Sequence, residues 1–133
     1  KMIQNIKYLY ETPDTLGEDR LINAYTCTIE YPNQNCLIVD CGTCLTTTFI
    51  SAEGELYGGS ISPGLSMRLQ AMHHFTHKLP FLKLDFSEDL RWLGLNTEES
   101  MLSGALWGAV DEVNGRLDRY LGEFKDLKII INV

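Results

Sequence analysis

Four consecutive residues, Asp40-Cys41-Gly42-Thr43, put a carboxylate, a glycine and a hydroxyl at one point of the chain. A glycine lets backbone approach a ligand closely, and a carboxylate beside a hydroxyl suits a cation or a phosphate. Turn chemistry competes, because Asp, Gly and Thr also build ordinary hairpins, and from the tetrapeptide alone the plain turn is the commoner explanation. A second stretch, Gly17-Glu18-Asp19-Arg20, joins a glycine to two acids and a cation, as a substrate-binding loop tip would. Its plain explanation is equally direct. Acids in the first turn of a helix are favoured by the dipole, and Arg20 can be a solvated surface charge.

Other reactive side chains fit chemistry less well. Cys27, Cys36, Cys41 and Cys44 include one C-x-x-C spacing. A redox pair of that type sits at a helix N-terminus, where the dipole lowers the thiol pKa, whereas Leu45 to Ile50 favours a strand. Structural thiols are expected. His73 and His77 stand four apart, as metal ligands on one helix face would, but no third ligand lies nearby in sequence, so a packing or surface role is expected.

Positioning these residues requires a strand, a tight turn and a strand, which Leu37-Ile38-Val39 and Cys44 to Ile50 supply on either side of Asp40 to Thr43. Ala52 to Glu55 reads as a second hairpin turn, followed by an extended run to Gly58-Gly59 and a helix opened by Ser62-Pro63. Upstream, Ile6, Tyr8 and Tyr10 alternate as in a partly buried strand. Thr15 and Glu18 match a capping box, opening a helix whose apolar face is Leu21, Ile22, Tyr25 and Ile29 and whose N-terminus points Glu18, Asp19 and Arg20 outward.

Downstream, Leu65, Leu69, Met72, Phe75 or Thr76, and Leu79 have helical spacing that Pro80 ends. Phe81 to Phe86 reads as a short strand or extended connection and Ser87 to Asn96 as a loop. Thr97 is the expected N-cap of the longest helix, whose stripe is Leu102, Leu106, Val110, Val113, Leu117 and Tyr120. Ser100, Gly104 and Gly108 form a second stripe of small residues, which predicts a close helix from this chain or from a second subunit. The final KIIINV reads as a buried strand, cut rather than finished.

A chain of 133 residues that is 44% hydrophobic supports one folded unit. Its formal charge of −7 argues against a nucleic-acid or anionic-membrane surface, since like charges repel phosphates. No stretch reads as a signal peptide or a membrane span, so a cytoplasmic protein is expected.

Taken in order, Tyr10, LGEDR at 16–20, DCGT at 40–43, GGSISPGL at 58–65, KLP at 78–80 and GLNT at 94–97 closely resemble type III pantothenate kinase, an enzyme of coenzyme A biosynthesis. The resemblance runs through almost the whole chain. It implies an α/β fold, one ribonuclease-H-like half of the acetate and sugar kinase, heat-shock chaperone and actin superfamily. The implied activity is ATP-dependent phosphorylation of pantothenate. Asp19 then matches the general base. Tyr10, Gly17, Glu18, Asp19 and Arg20 line the pantothenate site, which Thr97 completes from the partner subunit of a homodimer. Asp40 matches the ligand of a monovalent cation, potassium or ammonium, and Thr43 an ATP phosphate contact. Magnesium follows from phosphoryl transfer in general.

Two motifs of that family have no counterpart here, its N-terminal DxGN phosphate-binding turn and its C-terminal TGG turn. The expectation is therefore a truncated unit over residues 1–133, with little or no kinase activity in isolation. A related sugar or acyl kinase, and a non-catalytic binding or regulatory module of the same fold, are the alternatives.

Overall fold

The computed structural model describes residues 5–86 and 89–133. Its organising element is β2 (Cys36–Cys41), where Cys36 to Val39 are at most 2% exposed. A strand buried on both faces needs a helical layer on each, and that is the arrangement found. β2 pairs antiparallel with β3 (Cys44–Ile50), which pairs antiparallel with β4 (Glu55–Pro63). β5 (Lys128–Asn132) lies parallel to β2, and β1 (Lys7–Tyr8) parallel to β4, giving the order β1-β4-β3-β2-β5. The chain is thus a mixed α/β fold.

Strand alternation sends the two halves of β2 to different cores. Cys36 and Ile38 face helix α1 (Glu18–Glu30) and join Leu21, Ala24, Cys27, Ile50 and Leu56. Leu37 and Val39 face the opposite way, with Leu45, Phe49 and Ala109 of α3 (Thr97–Glu123). Phe49 stacks near Phe124 at a centroid distance of 4.1 Å. The shorter α2 (Leu65–His74) packs on α3 through Leu69, Met101 and Ala105.

Several expectations are corrected. The N-terminal strand shrinks to Lys7–Tyr8, within the described residues. No capping box forms, because Thr15 belongs to a 3-10 turn and bonds Thr12, leaving Gly17 as an N-cap without a side-chain bond. The buried face of α1 is Arg20, Leu21, Ala24 and Cys27, while Ile22, Tyr25 and Ile29 are exposed. β4 continues through Ser62-Pro63, so α2 starts later, at Leu65, and ends at His74, well before Pro80. Phe81 to Phe86 forms no strand, and of the expected loop Ser87 and Glu88 lie outside the described residues.

On α3 the N-cap is Asn96, whose side chain accepts from the Glu99 amide, and not Thr97. The most buried α3 positions are Met101 and Ala105, which pack on α2, and Ala109, which packs on the sheet, and Val110 of the expected stripe is exposed. The neighbour expected at the glycines is only partly there: a Cβ at Gly104 would meet nothing within 4 Å, and one at Gly108 would meet the Arg68 guanidinium at 3.8 Å. β5 is an edge strand with Ile131 exposed, so the reading of a fully buried strand fails. No helix among the described residues is long and apolar enough to cross a membrane.

Candidate functional site

Asp40, next to last in β2, lies on the face that Ile38 presents to α1, two residues before it. There Asn23 Nδ2 donates to Asp40 Oδ2 at 2.7 Å. Asn23 stands four residues after Asp19 on α1, so the two share a helix face. One hydrogen bond therefore brings the Asp19 helix and the Asp40 strand end together. Cross-strand register puts Thr46 of β3 and Asn132 of β5 beside Asp40, making a row of neutral polar neighbours. Asp19 is exposed, at the first turn of α1.

The Glu18-Asp19-Arg20 group does not point outward as one cluster. Glu18 and Asp19 do, but Arg20 is 8% exposed and turned onto β3. Its Nε donates to Thr48 Oγ1 and its Nη2 to the Thr47 carbonyl, both at 2.9 Å. These bonds offset the cost of burying the guanidinium and fasten α1 to the sheet. The same carbonyl explains Gly59, at φ +159°, where a Cβ would overlap the Thr47 oxygen. At Gly58, φ +106°, a Cβ would come within 2.7 Å of the Tyr10 ring. Tyr10, Gly58, Gly59, Thr47 and Arg20 thus form a continuous packed support beside the start of α1.

Gly42 and Thr43 of the β2–β3 turn are exposed. The turn closes through Gly42 N–H to the Cys44 carbonyl at 3.1 Å and rests on the start of α2, where the Gly64 N–H donates to the Thr43 carbonyl at 3.0 Å. A Cβ at Gly64 would overlap the carbonyl oxygens of Gly42 and Thr43, so glycine is required there. Gly42 and Gly17 differ. A Cβ at Gly42 would approach nothing closer than the Cys44 oxygen at 3.9 Å, and at Gly17 nothing lies within 4 Å. Among the described residues nothing demands glycine at either position.

Helix α2 begins at this turn with Gly64 as N-cap, no side-chain cap bond and no acid in its first turn. Its first N–H groups and the positive end of its dipole are thus uncompensated by side chains, the arrangement that favours an anion. Next to the turn lies an apolar cavity of about 640 Å³, lined by Cys41, Gly42, Leu45, Leu65, Ala109 and Val113 among others. That volume is ordinary for a small-molecule site.

Glu112 of α3 accepts hydrogen bonds from Ser62 Oγ at the end of β4 and from Arg68 Nη2 of α2. Arg68 Nε also holds the Pro63 carbonyl at 2.9 Å. Burial alone would raise the Glu112 pKa, but the two hydrogen bonds and the charges of Arg68 and Arg116 outweigh it and leave the carboxyl below its usual value. This clamp sets the β4–α2 junction beneath the turn.

Thr97 is not part of the group within one chain. It is exposed at the first residue of α3, twelve residues before Ala109 reaches the sheet, about 18 Å along a helix. The thiols carry no sign of reactivity. Burial, then the neighbouring Cys36, pushes Cys27 up to about 12. Burial and the Asp40 charge likewise raise Cys41, and Cys44 opens a strand. The His73 Nδ1 bonds with the Leu79 carbonyl at 2.8 Å, a packing role. Sequence reasoning missed Asn23, Thr48, Arg68 and Glu112. Only Asn23 had a usable signal, its i+4 spacing from Asp19.

A family model described as type III pantothenate kinase matches residues 1–119. Curated type III pantothenate kinases are similar over most of the chain: that of Flavobacterium johnsoniae is 41% identical, with 92% of this chain and 49% of the relative aligned. That of Christiangramia forsetii is 43% identical over 91% of this chain and 49% of its own. That of Bacteroides fragilis is 35% identical over 92% and 50%. The chain spans about half the length of the curated relatives it matches. A Campylobacter jejuni protein, described with its crystal structure as of the Baf transcriptional activator family, superposes with a TM-score of 0.62 over 96% of this chain and 61% of its own. At 19% identity that likeness concerns the fold alone.

Proposed function

The chain belongs to the type III pantothenate kinase family, and from that premise we propose that its 133 residues form about half of an enzyme that phosphorylates pantothenate with ATP, the first step of coenzyme A biosynthesis. The observation that supports this reading is the Asn23–Asp40 bond: Asn23 lies one helical turn after Asp19, and Asp40 two residues before the Gly42–Thr43 turn on which the uncapped start of α2 rests. In this reading a base, a candidate cation ligand and an anion-favouring helix end serve one site. In the proposed fold this unit is one ribonuclease-H-like half of the sugar kinase, heat-shock chaperone and actin superfamily.

Asp19 accepts the proton of the substrate's primary hydroxyl as its oxygen bonds to the γ-phosphorus, while the bond from that phosphorus to the ADP oxygen breaks. An exposed carboxylate at a helix start is accessible for this. Tyr10, Gly17, Glu18 and Arg20 line the pantothenate site, Arg20 with those N–H groups that β3 does not take. Thr43 and the α2 N-terminus meet the phosphates, and Gly42, which none of the described residues requires to be glycine, lets them approach. Oxygen donors at Asp40 and Thr43 suit hard cations, so the residues fit potassium or ammonium at Asp40, and magnesium accompanies ATP. Such cations supply positive charge against the phosphates. Thr97 completes the site of a partner subunit in a homodimer, and the protein works in the cytoplasm.

Purified full-length protein with ATP, magnesium and potassium should release ADP only when pantothenate is present. Turnover with other hydroxylated substrates but not pantothenate would leave the fold assignment standing and overturn the substrate.

A further inference from the structure

We propose that Asn23 is a positioning residue that presents Asp40 to a monovalent cation. This rests on the kinase reading above. Asp40 is partly buried, and among the described residues no ion pair reaches it. What holds it is a neutral amide: Asn23 Nδ2 donates to Oδ2 at 2.7 Å. An amide donor fixes a carboxylate's direction but cancels none of its charge, whereas a lysine or arginine would do both. The bond takes one oxygen and leaves the other, Oδ1, to a further ligand. The row neighbours Thr46 and Asn132 are also uncharged.

The nearest cationic side chain along α1, Arg20, is anchored elsewhere, on Thr47 and Thr48. The carboxylate is therefore aimed and left negative, at a place where substrate phosphates would otherwise be repelled. Glu112 shows the alternative in the same molecule, a carboxylate neutralised by Arg68.

The test uses the full-length enzyme as wild type, Asn23→Leu and Asn23→Gln. Potassium chloride is exchanged for choline chloride at constant ionic strength. Turnover and melting temperature are both read against potassium. Loss of a residue that orients a metal ligand should raise the half-activating potassium concentration of Asn23→Leu about tenfold or more. Its kcat should return at saturating potassium, its potassium-dependent rise in melting temperature should shift to the same higher range, and Asn23→Gln should recover part of the affinity.

An unchanged half-activating concentration in Asn23→Leu, or a kcat lowered equally at every potassium concentration, overturns the proposal. Should Asn23→Leu fail to fold, Asn23→Gln decides, and wild-type potassium affinity there overturns it. A wild type that phosphorylates pantothenate yet ignores potassium in both readouts also overturns it while the kinase reading stands. A wild type without turnover removes the kinase reading, and the melting-temperature shifts alone then decide for or against Asn23.

Discussion

Asp40 and Glu112 are partly buried carboxylates on opposite sides of one sheet, and they are treated in opposite ways. Glu112 is neutralised by Arg68, bonded by Ser62 and has Arg116 within electrostatic reach. Asp40 receives one neutral amide. A carboxylate whose charge is matched locks elements together, here β4, α2 and α3. One that is oriented but unmatched retains its charge for something outside the chain. The glycines divide similarly: Gly64 is dictated by the carbonyls against it, whereas a Cβ at Gly42 would make only an ordinary contact with the Cys44 oxygen at 3.9 Å.

The comparison can be pressed hardest at Asp19. If the proposed function holds, Asp19→Asn in the full-length protein should lower kcat by about 10²–10⁴-fold, the range for loss of a positioned base, with little change in melting temperature because the side chain is exposed. Comparable turnover in the variant would remove Asp19 from the chemistry. Next come the glycines. Gly64→Ala should destabilise by about 1–3 kcal/mol, as overpacking does. Gly42→Ala should stay within about 0.5 kcal/mol and instead raise the KM for ATP. Urea melts and nucleotide titrations separate the two, and equal destabilisation would erase the distinction drawn between them.

Glu112→Gln should cost about 1–2 kcal/mol, because the Arg68 guanidinium loses its charged acceptor. The sign of its pH dependence follows from the lowered pKa. The folded carboxyl titrates below its usual 4.5, so its contribution is present above that pH and is lost as pH falls through the folded value. The gap between wild type and variant in urea should therefore close on acidification from neutral to below 4.5. A gap that widened would mean that the clamp is not ionic. Smallest is the expected response of Cys27, which burial raises to about 12. In the folded protein at neutral pH it should resist iodoacetamide, as mass spectrometry would show, and rapid labelling would contradict its place between α1 and β2.

Much of this fold was legible because hydrophobic period and local chemistry agree. The apolar run Leu37 to Val39 and the β-branched run Cys44 to Ile50 are strand signals, but the turn is shorter than the expected Asp40 to Thr43: Asp40 and Cys41 pair with Thr46 and Leu45 inside the sheet, leaving Gly42 and Thr43. Boundaries were less legible. Thr15 lost its capping role to a 3-10 turn, and Asn96 outcompeted Thr97 for the Glu99 amide. Each is a choice between neighbouring residues of similar propensity, and residue type alone does not decide it.

At the candidate site, the residue types and the order of motifs established by themselves that the chain resembles one enzyme family, and they named Asp19, Asp40 and Thr43. Those are properties of local composition. What only the tertiary structure decided is how charge is distributed among them: that Arg20 turns inward to Thr47 and Thr48, that Asn23 holds Asp40, and that Glu112 and Arg68 meet across forty-four residues. A charged side chain in sequence has no fixed partner. Burial and the positions of acceptors on other strands determine whether it is spent on the fold or left for a ligand, and those positions exist only once α1, α2 and α3 have packed on the sheet.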